Sequence, residues 1–401
     1  MAGAAVGGRK RKRASLKEPE KMGSFKPVAF VPRYIASAQI LLKRKGVIIR
    51  MSVDFDIAVI GAGPAGATFA RLAGNKYRIA VIDPKTVSAQ SFHKPCGGLL
   101  SDDAQKSLAR FDLTLPKSVL VDPQIFAVRT IDLTAGLVRH YQRFYVNLDR
   151  HRFDMWLKGL IPDTVTLTDD KAKAIIRTEN GFEIVLKSGE KITSRYVVGA
   201  DGAGSLVRRS FFPNRKIRSY IAIQQWFPEN NPNPFYSCIF DKVTSDCCSW
   251  SISKDSHFIF GGAFPKDKSR ERFEKQKERL ERYQGFKFGE AEKTEACLVY
   301  RPQKARDFVC GDKGALLIGE AAGFISPSSL EGFSYAIDSA LMLAECFLKG
   351  EEGVERRYKK ATLKLRLKLL GKVMKCPFMY KPFLRGLVMR SGVKSIGMIK
   401  E

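Results

Sequence analysis

The sequence predicts an α/β class: a doubly wound, Rossmann-like dinucleotide-binding domain interleaved with an α+β domain built on an antiparallel sheet. Three observations carry that reading. A short apolar strand runs into a glycine-rich turn and a helix between residues 55 and 74, the grammar of a βαβ unit. Two more strand-to-glycine turns occur at residues 196–205 and 317–323. Between them, residues 215–300 hold short alternating segments of the kind that pair antiparallel.

Phe55-Asp56-Ile57-Ala58-Val59-Ile60 stops at a glycine, as a buried parallel strand does. Gly61-Ala62-Gly63-Pro64-Ala65-Gly66 then opens a helix over 65–74, and Arg78–Ile82 suits a second strand. In this GxGxxG the first glycine makes the tight turn and the second admits a pyrophosphate against the backbone. The third lets the helix pack on the strand, and the helix N-terminus adds an electropositive end. Asp83, 22 residues after Gly61, is placed to accept hydrogen bonds from ribose hydroxyls. Later, Ala315–Ile318 suits a strand and Gly332–Leu348 a helix, while Ser249–Ile252 and His257–Phe260 suit antiparallel strands. Residues 266–283 suit a charged helix with a solvated face.

Charge excludes several classes. The 401 residues carry 69 Lys+Arg against 41 Asp+Glu, a net +28. The excess sits at the ends, with thirteen basic and two acidic residues in 1–50 and fourteen and one in 356–401. A 44% apolar content excludes a wholly disordered chain, and the nearly neutral middle speaks against a basic nucleic-acid fold, so no nucleic-acid partner is expected. No uncharged apolar run reaches the roughly 20 residues of a membrane-spanning helix. Eight scattered cysteines without a CxxC pair, and four histidines outside ligand spacing, give neither a disulfide framework nor a metal centre.

The glycine turns carry a family resemblance. Gly61–Gly66, Tyr196-Val197-Val198-Gly199-Ala200-Asp201-Gly202-Ala203-Gly204-Ser205 and Leu317-Ile318-Gly319-Glu320-Ala321-Ala322-Gly323 resemble those of flavoproteins of the aromatic-hydroxylase and geranylgeranyl-reductase superfamily. Lys94-Pro95-Cys96-Gly97-Gly98, Arg150-His151-Arg152-Phe153-Asp154-Met155-Trp156-Leu157, Asp201-Gly202 with Arg208, and Pro327 through Gly332 narrow it to the geranylgeranyl-reductase-like family over residues 51–401. Gln224–Phe227, Pro234–Phe240 and Ser249–Lys254 most resemble that family's enterobacterial colicin-M-resistance branch.

This resemblance implies FAD as the cofactor. Gly61, Gly63, Pro64, Ala65, Gly66 and Asp83 would bind its ADP half, and Asp201, Gly202, Gly319, Glu320 and Gly332 would complete the site. Glu320 stands where the superfamily usually has Asp to hold the ribityl chain. Cys96, Gly97, Gly98 and Arg150 would approach the flavin or its phosphates. The expected organisation has a basic leader (1–50) and FAD-binding segments 51–95, 149–214 and 306–355. A substrate-side insertion (96–148), a substrate sheet (215–305) and a basic amphipathic helical tail (356–401) complete it.

The implied activity is reduction of double bonds in a polyprenyl or similar lipid by hydride from reduced flavin. A single dinucleotide fingerprint leaves the electron donor open among NAD(P)H, a ferredoxin and a quinol. Two alternatives stand beside it: an FAD monooxygenase acting on an aromatic or polyketide-like small molecule, and a flavin-binding membrane-surface protein without turnover. Alkene reduction also needs a proton from the protein. The Cys96 thiol is one candidate, and Tyr236 and Trp250 either line a substrate cavity or belong to the sheet core. His93 either stabilises developing charge or is an ordinary loop histidine. In the tail, Leu363, Leu367, Leu370 and Met374 share one helical stripe beside Lys364, Arg366, Lys368 and Lys372. That stripe either packs on the nucleotide domain or meets an anionic membrane. The location expected is cytoplasmic, with peripheral attachment at the inner face of the membrane as the tail's second option.

Overall fold

Four apolar strands, β1 (Phe55–Ile60), β2 (Ile79–Ile82), β9 (Lys191–Gly199) and β16 (Ala315–Leu317), run parallel as the core of one sheet. The computed structural model describes residues 53–86, 88, 94–229 and 233–399; the expected leader and His93 lie outside them. In register, Ile57 faces Ile79 on one side and Tyr196 on the other, and Leu316 faces Val198. β6 (Thr166–Thr168) extends the sheet beyond β2, β15 (Gly311–Asp312) closes it beyond β16, and β7 (Ala172–Thr178) with β8 (Gly181–Leu186) adds an antiparallel hairpin to β9.

These strands are Val/Ile-rich on both faces because helices cover them. α1 (Pro64–Ala73) and α6 (Phe333–Leu348) pack together, with the Phe69 and Phe347 rings edge to face at 5.8 Å. α2 (Asp102–Ala109) joins α6, and Phe153 of α3 (Arg150–Gly159) meets Phe333 at 5.3 Å. α4 (Leu206–Phe211) follows β9.

The second sheet has the order β14 (Lys293–Tyr300), β10 (Ser219–Pro228), β13 (His257–Phe264), β12 (Cys248–Lys254), β11 (Phe235–Phe240), β4 (Ile125–Asp132), β5 (Leu137–Asn147) and β17 (Ser395–Ile396). β3 (Leu99–Leu100) pairs with β5. All contacts are antiparallel except β4 on β11. Residues 96–148 and 215–305 thus contribute strands to one sheet, whereas 149–214 and 306–355 contribute to the other.

Alternation in β12 does not mark a wet face. Every residue of β12 is buried. Ser249, Ser251 and Ser253 share one side, where the Ser249 hydroxyl donates to Gln276 Oε1 of α5 (Ser269–Gln284) at 2.5 Å. The expected solvated helix is accordingly half core, since Phe273 and Leu280 of α5 are fully buried on the sheet. The opposite side of β12 carries Cys248, Trp250, Ile252 and Lys254.

The tail forms α7 (Val354–Ala361), α8 (Leu363–Tyr380) and α9 (Pro382–Ser391) before ending in β17, which pairs Ile396 with His140 of β5. It is therefore not helical throughout. Leu365 and Leu369 are the residues α8 buries; Leu363, Leu367 and Met374 of the expected stripe are exposed, and Leu370 is only partly covered. The stripe does not pack on the nucleotide domain as one face.

Candidate functional site

The parallel strands β1, β2, β9 and β16 all end on one edge, where an open α/β sheet binds its ligands. Each delivers one predicted element there: Gly61–Gly66, Asp83, Asp201-Gly202 and Gly319-Glu320. The turns interlock. A Cβ on Gly61 would lie 2.8 Å from the Ala200 carbonyl oxygen, and one on Gly66 would lie 1.9 Å from that of Gly61. A Cβ on Gly319 would lie 3.0 Å from that of Ala65, and one on Gly202 would stand 3.7 Å from Glu320 Oε2. Only glycine permits this approach at Gly61, whose φ is +98°.

Gly63 differs. A Cβ there would meet nothing within 4 Å. It is the N-cap of α1 and caps with no side chain, and Pro64 has no N–H, so the helix start presents the uncapped Ala65 and Gly66 N–H groups and open space together. Those features fit a pyrophosphate. Asp83 Oδ2 accepts the Ala62 N–H at 2.6 Å and Oδ1 the Lys85 N–H at 2.7 Å, which fixes the carboxylate beside the turn with lone pairs to spare. Asp201 is half-buried; its Oδ2 accepts the Leu206 N–H at 2.6 Å, and its buried Oδ1 has no partner among the described residues. Burial pushes the Asp201 carboxyl up. A dinucleotide's hydroxyl or amide is the kind of donor this orphaned oxygen accommodates.

Beyond the turns lies a polar enclosure. Glu320 Oε1 accepts the Tyr300 N–H at 2.9 Å, and Oε2 pairs with the Lys94 ammonium. Burial alone would lower the Lys94 pKa, but Glu320 more than offsets this and holds it above the usual range. Arg150, first residue of α3, bonds Asp154 Oδ1 at 2.9 Å, while Lys85 reaches Asp154 Oδ2 at 2.7 Å. This is not a surface ion pair, because Asp154 is 1% exposed and Arg150 is nearly enclosed over the Phe333 ring at 4.6 Å. Phe333 opens α6 just after Gly332.

Cys96, Gly97 and Gly98 run along the wall between the two sheets. The Cys96 thiol accepts the Gly98 N–H at 3.4 Å and lines the same cavity as Arg150. A Cβ on Gly97 would lie 3.8 Å from Trp250, and one on Gly98 would lie 2.9 Å from the Lys254 ammonium. Lys254 is 3% exposed and donates to Asn147 Oδ1 and to the Leu148 carbonyl, both at 2.6 Å. Burial lowers its pKa to about 8.

A small cavity collects these groups. Lys94, Cys96, Arg150 and Lys254 line one side, and Gln224, Trp226 and Glu295 the other. Trp250 Nε1 donates to Gln224 Oε1 at 3.1 Å, and Trp226 Nε1 to Glu295 Oε2 at 2.9 Å. Tyr236 lies on the same sheet face and packs on Tyr145, with centroids 5.9 Å apart; neither it nor Trp250 lines the cavity, and both belong to the sheet core. Burial raises the Tyr236 pKa well above the ordinary phenol. Lys254, Gln224 and Glu295 have no motif of their own. Only the register that sets Gln224 opposite both Gly261 and Glu295, with Gly261 opposite Trp250, brings them together.

Comparison with known proteins agrees with this architecture. Residues 56–227 match the family model described as lycopene cyclase protein. A geranylgeranyl bacteriochlorophyll reductase-like protein of Thermoplasma acidophilum superposes with TM-score 0.69 at 19% identity, covering 83% of this chain and 90% of that one. PqsL of Pseudomonas aeruginosa, described as a probable FAD-dependent monooxygenase, superposes with TM-score 0.62 at 16% identity over 83% of this chain and 99% of that one. The fold is the one these flavoprotein reductases and monooxygenases share. Protein CbrA of Escherichia coli O6:H1 is 50% identical over 352 residues, covering 86% of this chain and 96% of CbrA, and the chain belongs to the CbrA family.

Proposed function

We propose that this chain is an FAD-dependent oxidoreductase that reduces carbon–carbon double bonds of a polyprenyl or related lipid. The flavin, when bound, supplies the hydride. One observation carries the choice of reduction over hydroxylation: the cavity holds two proton-bearing groups, the Cys96 thiol and the Lys254 ammonium, and Lys254 extends from the same face of β12 as Trp250. An alkene that accepts hydride at one carbon needs a proton at the other, and Lys254 holds one at a fixed Nζ.

The remaining residues bind and orient. Gly61, Gly63, Gly66 and the α1 N-terminus would hold the pyrophosphate, Asp83 the adenosine ribose, and Glu320 with Lys94 the ribityl side of the site. Arg150, fixed by Asp154, sets a positive charge on the wall that also carries the Cys96 thiol. The fold likeness to the Thermoplasma acidophilum reductase-like protein supports this reading, and the likeness to PqsL keeps a monooxygenase as the rival.

The test is anaerobic turnover of purified, chemically reduced protein with polyprenyl alcohols and phosphates, read by mass spectrometry. Products heavier by two hydrogens are expected. In the same assay run in air, oxygen consumption stoichiometric with a hydroxylated product would replace this reading with the monooxygenase. Flavin reduced by no donor, and no product from any substrate, would leave a binding protein without turnover.

A further inference from the structure

Alternating Leu and Lys/Arg over residues 363–369 place apolar side chains on two sides of α8, because a two-residue step turns a helix by about 200°. Leu365 and Leu369 are buried against the body. Leu363, Leu367, Met374 and Phe378 form the other stripe, and all four are exposed, Met374 by 76%. α9 repeats the arrangement: Arg385 and Met389 are buried, while Phe383, Leu387 and Val388 are exposed, Phe383 by 72%. Val393 and Ile396 continue the exposed set.

This surface is built, not frayed. Arg385 Nε bonds Asp132 Oδ2 of β4 at 2.7 Å, and its Nη1 donates to the Met379 carbonyl at 2.8 Å. Tyr380 Oη donates to the Ser328 carbonyl at 2.8 Å, with the Arg301 guanidinium 4.0 Å above its ring. The stretch is also strongly polarised. Residues 363–399 contain nine Lys/Arg and no Asp/Glu. Lys364, Lys375, Lys381, Arg390 and Lys394 are exposed among the apolar side chains. No helix of the described residues is long and apolar enough to cross a membrane.

From this we infer that the outer surface of α8 and α9 docks on an anionic phospholipid bilayer, the apolar stripes entering the interface and these five cations meeting lipid phosphates. A soluble protein partner would have to be uniformly acidic around an apolar centre; a bilayer of anionic lipid offers that pattern over any area. The seat adjoins the candidate site. Phe378 points outward, while the next two residues, Met379 and Tyr380, pack on the cluster that holds Trp250, Tyr236 and Cys248. The docking does not depend on which reaction the site performs.

Co-sedimentation of the full-length protein tests this, with vesicles of phosphatidylcholine alone and of phosphatidylcholine with phosphatidylglycerol. Binding to the anionic vesicles is expected to exceed that to the neutral ones by on the order of tenfold and to fall with salt. Two triple variants, Phe378→Ser/Phe383→Ser/Leu387→Ser and Lys375→Glu/Lys381→Glu/Arg390→Glu, should each lose on the order of tenfold or more in partitioning. Thermal melting checks that each is folded, and the charge variant, confined to exposed side chains, stands in if the apolar one is not. Equal binding to both vesicle types, or wild-type pelleting by the folded variants, would overturn the inference. So would a dimer in solution that the apolar variant converts to monomer without any vesicle binding, since a second copy would then be the occupant.

Discussion

The indole of Trp250 lies where a side chain at Gly261 would have to be. A Cβ on Gly261 would fall 2.6 Å from Trp250 Cε2 and 2.7 Å from Nε1, the atom that donates to Gln224. Gly261 faces Trp250 and Gln224 on its two neighbouring strands, so the glycine gives the indole its room over the sheet.

Gly261→Val should therefore displace Trp250 and break its bond to Gln224. Overpacking of a full core costs about 1–3 kcal/mol. The expected outcome is a lowered melting temperature and weakened substrate turnover with retained flavin, measured by calorimetry and visible absorbance on one preparation.

The glycines of the first turn should separate folding from cofactor binding. Gly66→Ala forces a Cβ to 1.9 Å from the Gly61 oxygen and should abolish soluble folded protein. Gly63→Asp enters open space, so the variant should fold yet purify colourless, because its carboxylate occupies and repels the pyrophosphate position. A folded, yellow Gly63→Asp protein would refute the placement of the cofactor.

Lys254 gives a pH signature. Its ammonium is present below about 8 and lost above, so a step drawing on that proton slows as pH rises through 8. Lys254→Met should remove that limb from the pH profile and lower turnover at neutral pH. Stability carries the opposite sign: an unfolded lysine keeps its proton to about 10.4, so between about 8 and 10.4 the unfolded chain binds more protons and this group makes folding more favourable as pH rises. Urea titrations at several pH values would read that slope.

Asp154 should be structurally costly to neutralise. Burial pushes its carboxyl up, but Arg150 and Lys85 more than offset this and hold it below the usual range. Its contribution is thus present above the ordinary carboxylate pKa and lost as pH falls below it. Asp154→Asn leaves two cations facing a neutral amide in a buried site. A loss of about 3–5 kcal/mol is expected from denaturant unfolding, with the flavin bound more weakly.

The sequence by itself determined what is local. Gly61–Gly66 and Asp83 are legible because a strand, a tight turn and a helix start follow one another along about 30 residues, and Gly61 and Gly66 answer to contacts within that unit or with the neighbouring strand's turn, while Gly63 leaves open space. β1 ends where its apolar run meets Gly61, and α1 starts at the proline of the motif itself. Lys254, Gln224 and Glu295 were not legible. They come from three strands, and only antiparallel register decides that they share a face with Trp250. The tertiary structure also decided α8. Its Leu/Lys alternation supports two apolar stripes equally well, and periodicity ranks neither above the other. Docking against the body chose Leu365 and Leu369 for burial, because among the described residues that side faces apolar surface, and left Leu363, Leu367 and Met374 exposed.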